Sequence, residues 1–207
     1  SEAWRHLREQ PTVAMALLVA TFDLDIAVRA SAVSALGEIG PPLKASRLRQ
    51  ESRHSIAHRL VAMLSDCRWK VRFLATVALG KWGEEAVKAT TALGSVTDQF
   101  APGTVVGALV SAMKGGLVKH RVAGHALARL GPSGQEALIQ LCMGAVWLPG
   151  HDTDQKRPKQ TTRGFTPSSQ MRAAAAFGLG TLSPWANVAE RCVEVLFDAV
   201  SGDPIPT

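Results

Sequence analysis

Val28-Arg29-Ala30-Ser31-Ala32-Val33-Ser34-Ala35-Leu36-Gly37-Glu38-Ile39-Gly40 is the stretch that decides the fold, because it returns. Val71 to Gly83 is a second copy, with Arg72, Ala75, Ala78, Leu79, Gly80 and Gly83 in matching places. A third runs from Lys119 to Gly131 and keeps Ala123, Ala126, Leu127 and Leu130. A fourth runs from Met171 to Ser183 and keeps Arg172, Ala175, Leu179 and Leu182. The final positions 40, 83, 131 and 183 are 43, 48 and 52 residues apart. Repetition at this period marks stacked helical units, each burying its apolar face only against its neighbours.

Each copy follows an apolar helical pattern: Val13 to Ala20, Ile56 to Leu64, Val105 to Met113 and Ala137 to Ala145. The expected fold class is therefore all-α, with about four antiparallel helix pairs. Motif helices are predicted near 26–40, 69–83, 118–131 and 169–183. A trailing helix is predicted from Val188 to Val200, and a short extra one from Glu84 to Leu93. Leu43 to Glu51 reads as a basic linker, and 148–168, rich in Pro, Thr, Gly and Lys, as a flexible loop. The whole chain, 1–207, reads as one array. It opens on Ser1 and ends at Gly202-Asp203-Pro204 just after a predicted helix, which reads as a piece of a longer array.

On a 3.6-residue period, Val28, Ala32, Ala35, Leu36 and Ile39 fall on one arc, which should be buried. Gly37, Gly80 and Gly180 lie off that arc. Each costs about 1 kcal/mol of helix stability against Ala, so a neighbouring element should gain from the missing side chain. The composition, 46% hydrophobic and 19% charged with no Tyr, excludes a disordered chain. A formal charge of +6 permits acidic partners. Cys67, Cys142 and Cys192 are too scattered for a zinc knuckle or a disulfide framework and fit reduced thiols. The apolar run Val13 to Thr21 is too short to span a bilayer, so no membrane segment is expected.

The pattern of Asp five positions before Val-Arg, then Ala, Ala-Leu-Gly and a closing Gly, resembles the HEAT repeat. The likeness is to the variant known from phycobilisome lyases, within the armadillo-like superfamily. It covers nearly all of the chain: Asp23 precedes Val28-Arg29, and Asp66 precedes Val71-Arg72. The fourth copy has Thr166 at the Asp position, and the third has Lys114 there and His120 at the Arg position. The resemblance implies an α-α superhelix in which Asp23, Arg29, Asp66, Arg72 and Arg172 form a ladder between repeats, interrupted at the third. Its likeness to vertebrate HEAT-repeat-containing proteins implies a cytoplasmic scaffold, with cilium or cytoskeleton as further settings.

Enzymes built on this repeat set the alternatives. Iron-dependent deoxyhypusine hydroxylases use His-Glu pairs, and this chain has no His-Glu dipeptide. His54 and His58, four apart, form half a metal site with no evident third ligand. Nothing marks a bilin site, a phosphate loop or a nucleophile elbow. No catalytic residue, metal or cofactor is therefore assigned. The remaining alternative is a nucleic-acid-binding or DNA-repair protein like the alkylpurine glycosylases, motivated by five Trp and the basic charge.

Function should lie in what differs between copies. Opposite the predicted arc, the slot of Ala30 holds Phe73, Arg121 and Ala173. The slot of Ser34 holds Val77, His125 and Phe177, that of Gly37 holds Gly80, Ala128 and Gly180, and Glu38 is followed by Lys81 and Arg129. In the resembled family these helices line the concave side. Phe73, Val77, Lys81, Arg121, His125, Arg129 and Phe177 are the candidate partner-binding residues, suited to an acidic or amphipathic segment of a protein.

Overall fold

A computed structural model describes residues 10–41, 47–91, 103–143, 146–147, 164–165 and 167–182. These hold nine helices: α1 (Pro11–Ala20), α2 (Ile26–Ile39), α3 (Arg47–Ala62), α4 (Trp69–Trp82), α5 (Glu84–Thr91), α6 (Val105–Lys114), α7 (His120–Arg129), α8 (Pro132–Cys142) and α9 (Ser169–Gly180). The motif helices α2, α4, α7 and α9 pack on one another in that order. The apolar helices α1, α3, α6 and α8 contact one another in the same order, and each packs on the motif helix that follows it. The short α5 packs on α3.

Local chemistry explains where the elements start and stop. The Asp25 carboxylate accepts from the Ala27 amide and caps α2, while the Asp23 carboxylate accepts from the Asp25 amide. Thr104 and Ser168 cap α6 and α9 in the same way. Gly40, Gly83 and Gly131 close three of the motif copies with φ of 72°, 57° and 74°, a conformation that costs glycine little. Helix α3 begins at Arg47, inside the stretch expected to be a linker. Arg47, Leu48, Arg49 and Gln50 are good helix formers, so the basic run extends the helix instead of breaking it.

The long excursion before α9 also differs from expectation at its base. Val146–Trp147 and Gly164–Phe165 form a two-stranded antiparallel pair, with Val146 opposite Phe165. β-branched and aromatic residues favour such a pairing. The predicted flexible loop otherwise falls largely outside the described residues, as do the trailing helix and the start of the chain.

Leu36, Ile56, Leu60, Leu64, Leu79, Leu109, Met113, Leu127, Leu138 and Leu141 are fully buried in one core cluster. Each such side chain is worth about 1.5–3 kcal/mol. The predicted arc of α2 needs correction. Ala32, Leu36 and Ile39 are buried, but Val28 is 39% exposed and Ala35 is only half-buried. Ala30, Val33 and Gly37, placed off the arc, are buried instead. A motif helix meets α1-type helices on one side and other motif helices at its flanks, so burial covers more than one arc.

The off-arc glycines sit at those flanks. A Cβ on Gly37 would lie 2.9 Å from the Ala78 Cβ, and one on Gly80 would lie 3.0 Å from the Ala126 Cα. The expected close approach is thus present at both. At Gly180 a Cβ would meet nothing within 4 Å among the described residues, and the element expected to follow it lies outside them. Gly124 and Gly178 make the tightest approach between motif helices. They bring α7 and α9 backbone to backbone.

Among the described residues, one complete Arg–Asp rung is present. Arg29 Nε donates to Asp66 Oδ2 at 3.1 Å, and Arg29 Nη1 donates to the Asp23 and Leu24 carbonyls of its own turn. Arg72 grips its own turn through the Asp66 and Cys67 carbonyls. Across the next boundary Lys114 replaces the acid, and Arg72 Nε donates to the Leu117 carbonyl at 2.6 Å. The rung survives there on a backbone acceptor, so the expected interruption is only a loss of the carboxylate.

Burial works to raise the Asp66 carboxyl, but the Arg68 amide and the Arg29 guanidinium outweigh it and hold it below the usual carboxylate range. A folded-state value below the unfolded one stabilises the protein at pH above the unfolded value, and that contribution disappears as pH falls through the folded one. Asp66→Asn should therefore lower the melting temperature at neutral pH. The gap from wild type should close below about pH 4, where unfolded carboxylates take up protons. Thermal melts across that range check it, and a gap constant with pH would contradict it. Among the described residues no helix is long and apolar enough to cross a membrane.

Candidate functional site

Three successive motif helices build one groove of about 530 Å³. Helix α4 supplies Phe73, Val77 and Lys81, which share one face because they are four residues apart. Helix α7 supplies Arg121, His125 and Arg129 on the same spacing, and α9 supplies Phe177. All seven residues singled out in the sequence line it together. Gly80, Val122 and Ala126 complete its floor, and Lys119 joins its rim.

Lys119 was missed, although a signal existed. It occupies the slot of Val71, which is fully buried, and a lysine there must turn outward. Two other assignments need correction. Ala30 and Ala128 were placed on the outward face, but both are buried against neighbouring helices. They fall on the flanks, where contact with the next repeat covers them.

The lining is apolar below and cationic above. Phe73, Val77 and Val122 are half-buried, whereas Phe177 is 37% exposed. The Arg121 guanidinium lies over the Phe177 ring, 4.0 Å from its centroid. Such stacking is worth about 0.5–1 kcal/mol at an exposed site and fixes the direction of the cation. Arg129 Nε donates to the Gly80 carbonyl at 3.1 Å. That carbonyl belongs to the last turn of α4, where no helical amide follows to bond it. Lys81 pairs with Glu38 of α2. Among the described lining residues there are four cations, Lys81, Lys119, Arg121 and Arg129, and no carboxylate, thiol or hydroxyl. A second, more open depression of about 630 Å³ shares Lys119, Arg121 and Phe177 and adds His120, Gln170 and Ala173.

Elsewhere among the described residues, Trp82 and His54 take structural places. Trp82, which occupies the slot of Ile39 on the arc expected to be buried, is buried, and its Nε1 donates to the Leu36 carbonyl at 3.0 Å. Trp69 is 66% exposed but does not line the groove. The His54 ring nitrogen Nδ1 is hydrogen-bonded to the Ala89 carbonyl, tying α3 to α5. Among the described residues no three of His, Cys, Asp and Glu come together as a metal-binding group. Compared with known proteins, the chain matches no family model and no curated protein.

Proposed function

We propose that this chain is a HEAT-type α-solenoid that acts as a non-enzymatic, cytoplasmic protein-binding scaffold. Its groove across α4, α7 and α9 takes an acidic amphipathic helix. The solenoid reading is supported by the serial packing of four motif helices, by the Gly37–Ala78 and Gly80–Ala126 approaches at equivalent slots, and by the Arg29–Asp66 rung. The observation that carries the function is an apolar floor rimmed by four cations with no acid among its described lining residues. Those cations stand at slots where the copies differ, so the repeat itself does not require them. A partner helix that lays leucines on Phe73, Val77 and Phe177 would turn glutamates toward Lys119, Arg121 and Arg129. Three helices at about 8–10 Å spacing span roughly 16–20 Å. A helix of about 14 residues covers that distance.

The probe is a fluorescein-labelled helical peptide of about 14 residues, with leucines at one face and glutamates elsewhere. It should bind, and its affinity should fall as salt rises, because exposed charges are screened beyond about 8 Å at physiological salt. The same peptide with lysines for glutamates should not bind. Equal binding of both would refute charge complementarity. A DNA duplex that binds more tightly than the peptide, with a steep salt slope and no response to Phe177→Ala, would favour the nucleic-acid alternative.

A further inference from the structure

The four cations of the groove are not equally engaged. Lys81 pairs with Glu38, and Arg129 donates to the Gly80 carbonyl. The side chains of Lys119 and Arg121 donate to no acceptor among the described residues. These two are also the cations that the groove shares with the second depression, of about 630 Å³, and Phe177 is shared with them. A segment seated in the groove therefore has that depression beside it, with unpaired positive charge where the two meet.

The second depression is furnished for an anion. It adds the His120 imidazole and the Gln170 amide, and neither is hydrogen-bonded among the described residues. Ala173 and Ala174 contribute only methyl groups, and no carboxylate stands among the described residues that line it. An ammonium, a guanidinium, an imidazole and an amide thus border one hollow that holds no acid of its own. Lys119 and Arg121 together carry two positive charges. A phosphate monoester carries about −1.5 to −2 at pH 7 and offers three strong acceptor oxygens. A carboxylate carries one charge and two oxygens, which a single guanidinium can satisfy as a bidentate pair. Charge and donor number therefore favour phosphate over a glutamate. Arg121 is also held in position, with its guanidinium 4.0 Å from the Phe177 ring centroid. That contact restrains the guanidinium and uses none of its hydrogen bonds.

We infer that the second depression is a phosphate-binding site that reads a phosphoserine on the segment held in the groove. Arg121 takes two phosphate oxygens, Lys119 neutralises the second charge, and Gln170 and His120 donate to what remains. The site rests on the groove reading above and adds its regulation: phosphorylation of the partner by a protein kinase strengthens the contact.

The labelled acidic peptide, carrying one serine near either end, tests it by anisotropy in phosphorylated and unphosphorylated forms. Phosphorylation at one of the two ends should tighten binding at least about tenfold, in keeping with new hydrogen bonds to a charged group. Glutamate at the same place should give a smaller gain. Gln170→Glu sets a carboxylate in the second depression and outside the groove lining. Gln170 is exposed in the first turn of α9, where an acid suits the helix, so the fold is kept. This variant should bind the phosphorylated and unphosphorylated forms about equally. Unphosphorylated peptide that binds, with no tightening by phosphate at either end, would overturn the inference and leave the groove standing. A gain that survives Gln170→Glu, or that glutamate reproduces in full, would overturn it as well, since it would report added charge alone. Failure of both forms to bind would remove the groove and the inference together.

Discussion

Valine in place of Gly124 should lower the melting temperature by about 6–12 °C, the shift that accompanies roughly 3 kcal/mol in a protein of this size. The reason is the crossing of α7 and α9. A Cβ at Gly124 would run into the Ala174 carbonyl oxygen and lie 3.0 Å from the carbonyl carbon. Across the same contact, a Cβ at Gly178 would lie 3.0 Å from the Gly124 carbonyl carbon and 3.1 Å from Leu138 Cδ1. The obstructing atoms are mostly backbone, which cannot step aside as a side-chain tip does. Replacing glycine returns a few tenths of a kcal/mol in helix propensity, too little to offset separating two packed helices. Gly180→Ala is the matched control: no described atom lies within 4 Å, so its melting temperature should equal or slightly exceed that of wild type. Thermal melts of both variants decide the point. A Gly124→Val protein within about 1 °C of wild type would remove the close approach from the account.

The second large effect falls on binding. Phe177→Ala combined with Arg121→Glu should weaken the acidic peptide about a hundredfold, close to 2.7 kcal/mol, with little change in stability. Truncating Phe177 removes an apolar anchor and the platform under Arg121. Reversing Arg121 then puts a carboxylate where the peptide carries its own. The two side chains touch, so the single variants should not sum to the double. Both are exposed, and exposed substitutions usually change stability by no more than about 0.5 kcal/mol. Anisotropy titration of each variant with the labelled peptide measures this. A double variant that binds as wild type would take the groove out of the function.

Much of this was legible in the sequence. The repeated Ala and Leu positions and the closing glycines place four helices to within a few residues, because the 3.6-residue period and the positive-φ stop are local properties. The seven groove residues were legible for a different reason. Phe73, Val77, Arg121 and Phe177 break a pattern that the repeat would fill with small or polar residues, so their exposure needs another explanation.

What stayed hidden is set by how helices cross. The α2–α4 and α4–α7 approaches use the Gly37 and Gly80 slots. The α7–α9 approach uses Gly124 and Ala174, one turn nearer the helix starts. Nothing in the period announces that shift, so Gly124 and Gly178 were passed over and Ala128 was assigned outward. The early start of α3 was hidden because a basic run reads equally as linker or solvated helix. The Arg72 bond to the Leu117 carbonyl was hidden because a backbone acceptor leaves no side chain in the sequence to find.

The most direct measurement of the central claim is an amide and methyl NMR titration of the full chain with the acidic helical peptide. The largest shifts should cluster on Phe73, Val77, Val122, His125 and Phe177, with side-chain signals of Arg121 and Arg129 moving alongside them. Shifts confined to other faces, or a bound peptide that leaves these signals in place, would contradict it.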